Sequence, residues 1–204
     1  MLYEICSIQM YEKVDIHPRN NNSFSEYHSD RTGMIDYALD QAGGTVIKSR
    51  CSESMVQANS FFRIFGLSFV SYKNSPERAI NANTRPGSCW AFSGSRGHLV
   101  IKLSRPIIIS DLTIEHIPKN ISPSGSIQSA PRQFTISALS SVHDVVGFEL
   151  GNFEYDISGN SIQMFKIKRK MHFAATLVDI RFDSNWGGSY TCIYRVRIHG
   201  DSFS

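Results

Sequence analysis

The last strand-like stretch of the chain places the strongest constraint on its fold. It follows the glycine pair Gly187-Gly188 and runs from Tyr190 to His199. Because alternate side chains of a strand face opposite sides, its residues divide into two sets. One set is Tyr190, Cys192, Tyr194, Val196 and Ile198, and the other, mostly polar and cationic, is Thr191, Ile193, Arg195, Arg197 and His199. A strand so near the C-terminus must pair with strands formed much earlier, so we expect the last element to close the fold.

Upstream of this stretch, most of the chain also has the pattern of strands. Six segments alternate or are rich in β-branched residues, and Gly, Pro, Ser and Asn separate them. They are His98–Leu103, Ile107–His116, Gln133–Leu139, Val146–Tyr155, Ile162–Ile167 and Thr176–Phe182. Many short strands at roughly even spacing predict an all-β fold, an antiparallel β-sandwich of the jelly-roll kind.

One short helix is expected near the N-terminus. Asp30 can cap it, the apolar residues from Met34 to Ala42 have helical spacing, and Gly43-Gly44 ends it. A first short strand follows at Thr45–Ser49. Residues 1–32 are a polar leader, and we expect residues 33–202 to form one domain.

Composition argues against several classes of partner. The net charge of +3 is too small an excess to indicate nucleic-acid binding. No apolar run reaches the roughly 18 residues of a membrane span, so we expect that membrane attachment is not encoded in this chain. No heptad pattern indicates a coiled coil.

The four cysteines, Cys6, Cys51, Cys89 and Cys192, form no CxxC pair, which disfavours a structural zinc site. They are either reduced core residues or include a disulfide between distant segments, which would need an oxidising compartment.

Two further segments have unusual composition. Ser60–Tyr72 carries more apolar side chains than a two-stranded ribbon can bury on one face, so it is either an interior hairpin or one whose face awaits a partner. The loop Arg78–Ser88 has no acidic residue after Glu77. A cation bound there would have backbone carbonyls as ligands, which favours a monovalent ion over calcium.

The sequence contains no constellation typical of an enzyme. A thiol–imidazole pair of Cys89 with His116 has no local support, and we interpret the chain as a binding module. A carbohydrate-binding module is an alternative, because jelly rolls often bind glycans and Trp90 and Trp186 could stack on sugars. We expect Trp90 to lie in the core instead.

Six motifs in order give a resemblance to the SUN domain over residues 33–200. They are Asp36-Tyr37-Ala38-Leu39 with Ala42-Gly43-Gly44, Pro86-Gly87-Ser88-Cys89-Trp90-Ala91-Phe92, Glu115-His116-Ile117-Pro118, Ser129-Ala130-Pro131, Ser184-Asn185-Trp186-Gly187, and Tyr190-Thr191-Cys192-Ile193-Tyr194-Arg195 with His199-Gly200. The resemblance implies a β-sandwich on the perinuclear side of the inner nuclear membrane. Such domains bind the C-terminal peptides of KASH proteins, and the resulting LINC bridge anchors and positions the nucleus. It also implies a homotrimer, or a hetero-oligomer with other SUN proteins.

The resemblance also implies specific sites. The pocket for the peptide carboxylate falls on His116, Ser129, Tyr190 and Tyr194. The protruding hairpin lid falls on Met55–Ser75, with Phe61, Phe62, Ile64, Phe65, Leu67 and Phe69. A monovalent cation, usually potassium, would be held by the carbonyls of Arg78, Asn81, Asn83, Ser88 and Tyr194. An internal disulfide falls on Cys89 and Cys192, and Cys51 matches a position that can form a disulfide with a KASH cysteine.

The chain departs from the family after Trp186-Gly187. There it has Gly188-Ser189, one residue fewer than usual, in a loop that borders the peptide pocket. Cys6 has no counterpart, and Asn120-Ile121-Ser122 fits the glycosylation acceptor pattern.

Overall fold

A strand of 19 residues organises the fold. The computed structural model describes residues 32–55 and 74–202, and the backbone of two short strands between these ranges. The described strands are β1 (Thr45–Val46), β2 (Arg63–Ile64), β3 (Leu67–Ser68), β4 (Trp90–Ser93), β5 (Gly97–Glu115), β6 (Gln133–Leu139), β7 (Phe148–Glu154), β8 (Ile162–Lys166), β9 (Ala175–Phe182), β10 (Tyr190–Ile193) and β11 (Arg195–Ser202). All their pairings are antiparallel, as predicted. Short 3₁₀ turns at Asp40–Ala42, Lys48–Arg50, Pro76–Ile80 and Lys119–Ile121 connect them.

The long strand β5 pairs with two groups of strands. Its first part pairs with β9 and, at Ile101 and Lys102, with β1, and β9 continues the order through β6 to β7. Its second part pairs with β8 on one edge and β11 on the other. The register shifts between Lys102 and Ile107, around Pro106. The sequence predicted two strands, His98–Leu103 and Ile107–His116, but β5 runs through Pro106 without ending. Proline is tolerated there because the register shift leaves a bulge in the strand.

The predicted C-terminal strand changes partner at Tyr194. β10 pairs with β4, from Tyr190 opposite Ser93 to Ile193 opposite Trp90. β11 then pairs with β5, starting at Arg195 opposite Glu115. The last element therefore pairs with strands made about a hundred residues earlier, as expected. Tyr194 lies at the break between the two pairings.

The polar set of the last strand is buried, although it carries two arginines and a histidine. The Arg195 guanidinium lies 3.2 Å from the Asp36 carboxylate, and Arg197 pairs with Glu115. The His199 ring donates from Nδ1 to the carbonyl of Ile35 at 2.8 Å. Burial lowers the pKa of His199 and raises that of Asp36. Both faces of β11 therefore belong to the interior, and each buried charge has an opposite charge beside it.

The N-terminal helix is shorter than its spacing predicts and is reduced to the 3₁₀ turn Asp40–Ala42. The Tyr37 amide donates to the carbonyl of Ile198 at 2.9 Å, and the Tyr37 carbonyl accepts the amide of Ser104 at 2.9 Å. The Asp36 carboxylate accepts the Ala38 amide at 2.9 Å. Because these backbone groups bond to β11 and β5, they are not available for a helix.

The core contains residues from both parts of β5, including Leu99, Ile101, Leu112 and Ile114. Trp90 is fully buried, which confirms its predicted place. Within the described residues, no helix has the length and apolarity that crossing a membrane requires. The leader lies outside the described residues, apart from its last residue, and so does Cys6.

Candidate functional site

A cleft of about 540 Å³ opens beside the break between β10 and β11. Its walls come from the loop before β4, the segment after β5, and β10 itself. The residues used below are Arg78, Asn83, Arg85, Gly87, Ser88, Cys89, His116, Ser122, Ser129, Tyr190, Cys192 and Tyr194. The structure thus brings all four residues of the predicted carboxylate pocket into one cleft, together with Arg78 and Arg85.

Tyr194 lies at the floor of this cleft with only 3% of its surface exposed. Its phenol oxygen accepts a hydrogen bond from the Gly87 amide at 3.1 Å. Burial raises the pKa of Tyr194, so the phenol keeps its proton. An oxygen that already accepts one hydrogen bond can still donate its hydrogen to a ligand in the cleft.

His116 faces Tyr194 edge to face, with 4.9 Å between the ring centroids. Its Nδ1 donates to the carbonyl of Ile117 at 3.0 Å. Its Nε2 is buried and has no hydrogen-bond partner among the described residues. Burial lowers the pKa of His116 to about 4, so the ring is neutral near pH 7. An unsatisfied buried nitrogen on a cleft wall indicates a place where a ligand atom can bind.

Ser129 and Tyr190 occupy the wall opposite the loop. The backbone carbonyl of Ser129 accepts the Cys192 amide at 2.8 Å, which attaches its segment to β10. Tyr190, the first residue of β10, is half-buried. Their hydroxyls and the phenol of Tyr194 form a set of donors suited to an anionic oxygen.

Asn185 holds the turn that precedes β10, a role that the sequence analysis did not assign. Its Nδ2 donates to the carbonyls of Gly188 at 2.9 Å and Tyr190 at 3.1 Å, and to the hydroxyl of Thr191 at 3.1 Å. Its Oδ1 accepts the Gly187 amide at 2.9 Å. The turn residues alone indicated a loop, but not the side-chain hydrogen bonds of Asn185 that fix its conformation.

The shortened loop of this chain brings its backbone very close to the cleft wall. A Cβ at Gly188 would lie 3.0 Å from the Cα of Ser129 and 3.1 Å from the carbonyl oxygen of Gln128. The Gly188 amide donates to that same carbonyl at 3.2 Å. Glycine at 188 therefore allows the loop to pack directly behind Ser129.

A hydrogen-bonded loop borders the cleft at residues 81–88. The Asn81 Oδ1 accepts the Asn83 amide at 2.9 Å, the Asn83 Oδ1 accepts the Arg85 amide at 3.2 Å, and the Arg85 carbonyl accepts the Ser88 amide at 2.8 Å. The Asn81 amide group donates to the Asp40 carboxylate at 2.6 Å. The loop is free of acidic residues in sequence, but a carboxylate from outside it contacts it in space.

The predicted disulfide between Cys89 and Cys192 is present, with 5.6 Å between the Cα atoms. It joins the end of this loop to β10 across a separation of 103 residues. Since Cys89 is bonded to another cysteine, it cannot act as the thiol of a Cys89–His116 catalytic pair.

Cys51 is a free, half-buried cysteine. Its thiol donates to the carbonyl of Ile47 at 3.4 Å and accepts the amide of Val100 at 3.4 Å. Burial raises the pKa of this thiol to about 11. The predicted intermolecular disulfide at Cys51 would therefore start from a thiol that is almost wholly protonated near neutral pH.

Of the predicted lid Met55–Ser75, the structure describes the backbone pairing of β2 with β3 and the two ends, where the Asn74 amide group donates to the Met55 carbonyl at 2.9 Å. The side chains of Phe61, Phe62, Ile64, Phe65, Leu67 and Phe69 lie outside the described part.

Sequence comparison identifies the family to which the chain belongs. The family described as Sad1 / UNC-like C-terminal matches residues 69–202. The chain belongs to this family of SUN domains. It is 42% identical over 183 residues to SUN domain-containing protein 1 of Homo sapiens, covering 89% of the chain and 23% of that protein. It is 34% identical over 194 residues to the nuclear migration and anchoring protein unc-84 of Caenorhabditis elegans, covering 93% of the chain and 18% of the relative. The chain therefore spans less than a quarter of either relative.

Solved structures share the fold at low sequence identity. A family 32 carbohydrate-binding module of EndoD from Streptococcus pneumoniae superposes with a TM-score of 0.57 at 11% identity, over 81% of this chain and 99% of the module. This likeness concerns the fold alone. Sugar stacking would need an exposed ring face on Trp90 or Trp186. Trp90 is buried, and the Arg132 guanidinium covers one face of Trp186, 4.6 Å from its centroid.

Proposed function

We propose that this SUN domain binds the C-terminal peptide of a KASH protein by its free carboxylate, in the cleft beside Tyr194. The binding would take place in the perinuclear space, on the lumenal side of the inner nuclear membrane, and would complete a LINC bridge that anchors or moves the nucleus. Family membership and the name of the nuclear migration and anchoring relative support this role. The single observation that carries it is the convergence of His116, Ser129, Tyr190 and Tyr194 on one cleft.

The chemistry of the cleft favours an anionic terminus. Residues with hydroxyl donors and two arginines line it, and among its described lining residues there is no Asp or Glu. A carboxylate accepts several charge-assisted hydrogen bonds, whereas a carboxamide accepts fewer and carries no charge. An amidated peptide should therefore bind much more weakly than the free acid.

The peptide would also contact the lid and, in an oligomer, a neighbouring copy. A strand added to the lid edge satisfies backbone groups and covers apolar side chains. The homotrimer, or a mixed assembly with other SUN proteins, is part of this proposal and rests on family membership.

The loop at residues 78–88 fits a monovalent cation such as potassium. The proposed ligands are the carbonyls of Arg78, Asn81, Asn83, Ser88 and Tyr194. In the described chain, the carbonyls of Asn83, Ser88 and Tyr194 accept no backbone hydrogen bond, although that of Arg78 accepts the Asn81 amide at 3.3 Å. Neutral carbonyls on a loop fixed by a disulfide would hold a large, weakly hydrated cation. When bound, the ion would supply positive charge beside the cleft.

The test is the binding of a labelled peptide ending in the KASH Pro-Pro-Pro-X sequence, compared with the same peptide amidated at its C-terminus. The proposal expects binding that is lost on amidation. Tyr190→Phe should weaken it by about 1.5–3 kcal/mol, the value of a hydrogen bond to a charged group. Tyr37→Phe, a buried phenol remote from the cleft, is the matched control. Tyr194→Phe is less clean, because it also leaves the Gly87 amide without its acceptor.

The outcomes separate the parts of the proposal. Equal binding of the free and amidated peptides would overturn the carboxylate pocket. If neither peptide binds the folded protein, the measurement is repeated with a trimeric coiled coil appended. Binding that then appears attributes the failure to assembly, and continued absence overturns the proposed function.

A further inference from the structure

The carboxylate of Asp40 contacts the loop that shapes the cleft, although it belongs to a different part of the chain. Asp40 begins the 3₁₀ turn Asp40–Ala42, and its Oδ2 accepts the Asn81 amide group at 2.6 Å across 41 residues of sequence. Its other oxygen accepts the Gln41 amide at 2.7 Å. Both carboxylate oxygens are thus used, and one of them reaches the loop.

This contact fixes the orientation of the Asn81 side chain. A carboxylate only accepts hydrogen bonds, so the NH₂ group of Asn81 must face Asp40. The Asn81 oxygen then faces the other way, where it accepts the Asn83 amide at 2.9 Å. If the Asn81 side chain flipped, its oxygen would face the Asp40 carboxylate and its NH₂ group would face the Asn83 amide, so both hydrogen bonds would be lost.

The series of hydrogen bonds continues along the loop into the cleft. The Asn83 oxygen accepts the Arg85 amide, and the turn after Arg85 places Gly87 at a φ of 83°, with its amide on the phenol oxygen of Tyr194. A chain of hydrogen bonds and short loop segments therefore runs from Asp40 to Tyr194. Its last bond orients the phenol by occupying its acceptor side.

We propose that Asp40 is a positioning residue for the peptide cleft, acting through Asn81 and the loop on the phenol of Tyr194. This inference rests on the proposed function, because Tyr194 matters only if a ligand accepts its hydrogen. Asp40 does not line the large cleft and need not touch the peptide. Its effect lies in the hydrogen bond to Asn81, and not in its negative charge.

The substitutions separate the hydrogen bond from the charge. Asp40→Ala removes both, and it should weaken binding of the free-carboxylate peptide roughly three- to tenfold, the range of one hydrogen bond. Asp40→Asn keeps an oxygen for the Asn81 amide group without the charge. The exposed Gln41 amide loses its acceptor but can bond to water instead, so binding should stay within about twofold of the parent protein. Asp201→Ala, which removes an exposed carboxylate near the end of β11, is the control for charge alone and should change nothing.

A double-mutant cycle tests the route. Asn81→Ala should weaken binding to a similar extent, and adding Asp40→Ala to it should have no further effect, because the two residues act as one unit. Additive losses would overturn the inference, and so would equal losses in Asp40→Asn and Asp40→Ala.

A second measurement needs no peptide. Hydrogen exchange of the Asn83, Arg85 and Gly87 amides should be faster in Asp40→Ala and close to the parent rate in Asp40→Asn, while amides in β6 are unchanged. Unchanged exchange at all three amides would overturn the inference even if affinity falls. A parent protein that binds no free-carboxylate peptide would instead refute the proposed function, and the exchange result would still decide whether Asp40 orders the loop.

Discussion

Peptide binding should take up a proton, because the Nε2 of His116 has no hydrogen-bond partner in the part of the chain that the structure describes. Because Nδ1 donates to the Ile117 carbonyl, the neutral ring presents a lone pair at Nε2. A carboxylate oxygen placed there would face that lone pair, unless Nε2 also carries a hydrogen. Binding of the carboxylate at Nε2 should therefore protonate the ring.

The size of the effect follows from the pKa of His116, which burial lowers to about 4 in the free protein. If the peptide carboxylate restores the ordinary value of about 6.5, affinity should rise roughly 30-fold between pH 7.5 and pH 5. The bound form takes up the proton at the higher pKa, so affinity increases as the pH falls towards about 4, where the free protein also becomes protonated. Below that pH the peptide carboxylate itself is protonated, at a pKa of about 3.5, and affinity should fall again. Among the described residues that line the cleft, His116 is the one histidine.

The assay is peptide affinity against pH, together with calorimetry at pH 6 in two buffers of different ionisation enthalpy. The expected uptake is about 0.75 proton per peptide at pH 6, given a bound pKa of about 6.5. His116→Gln offers a matched comparison, because its amide group can donate without taking up a proton, so its affinity should not vary with pH.

Folding must be followed in the same experiment. A histidine with a lowered pKa destabilises the folded state as the pH falls from about 6.5 towards 4, and for His116 the loss is about 2 kcal/mol at pH 5. Circular dichroism at each pH shows whether the protein is still folded. A flat affinity profile in the folded parent protein, or calorimetry without proton uptake, would refute the reasoning.

Three other predictions follow from the described contacts. Replacing Cys89 and Cys192 together with alanine should lower the free energy of unfolding by up to about 4–5 kcal/mol in guanidinium chloride titrations, since the disulfide closes a long loop; an unchanged midpoint would contradict this. Asp36→Ala should destabilise the domain by about 3–5 kcal/mol, measured by urea unfolding, because Arg195 would remain buried without the carboxylate of Asp36; a loss below about 1 kcal/mol would mean that the other contacts of Arg195 are enough to stabilise its buried charge. Cys51, with a pKa of about 11, should react with iodoacetamide more than a hundredfold more slowly at pH 8 than a free thiol of pKa about 8.5, with a rate that rises about tenfold per pH unit; peptide mapping separates it from Cys6, and a rate like that of free cysteine would argue against the burial described.

Local patterns predicted the strands well where each strand pairs along its whole length. The prediction for β6, Gln133–Leu139, has the bounds that the structure shows. The predictions for β8 and β9 each differ from the observed strand by one residue at one end. The pattern failed at Pro106, because a proline ends some strands and only bends others. It also failed at Tyr37, whose backbone bonds to β11 and β5, elements that no local window contains.

The alternation in the last strand was correct, but it did not reveal burial. Arg195 and Arg197 look like a solvated face in the sequence, and in the structure Asp36 and Glu115 neutralise them. In the same way, the residues of the cleft could be named from six motifs in order, whereas the contact of Asp40 with Asn81 joins two distant parts of the chain. Pairings of this kind become visible only once the fold places their partners together.

The covalent bond between β10 and the loop also sets how the domain would respond to pulling. Cys192 lies two residues before Tyr194 and is joined to Cys89, at a sequence separation of 103, so the chain between the two cysteines forms a closed loop. Tension applied along the backbone passes through the sulfur atoms and cannot stretch that loop. A single molecule extended from its two ends should thus gain roughly 350 Å less length on unfolding in the oxidised state than in the reduced state, at about 3.4 Å per residue. In a domain that carries load, the strands between the two cysteines would be shielded from that load as long as the disulfide remains intact.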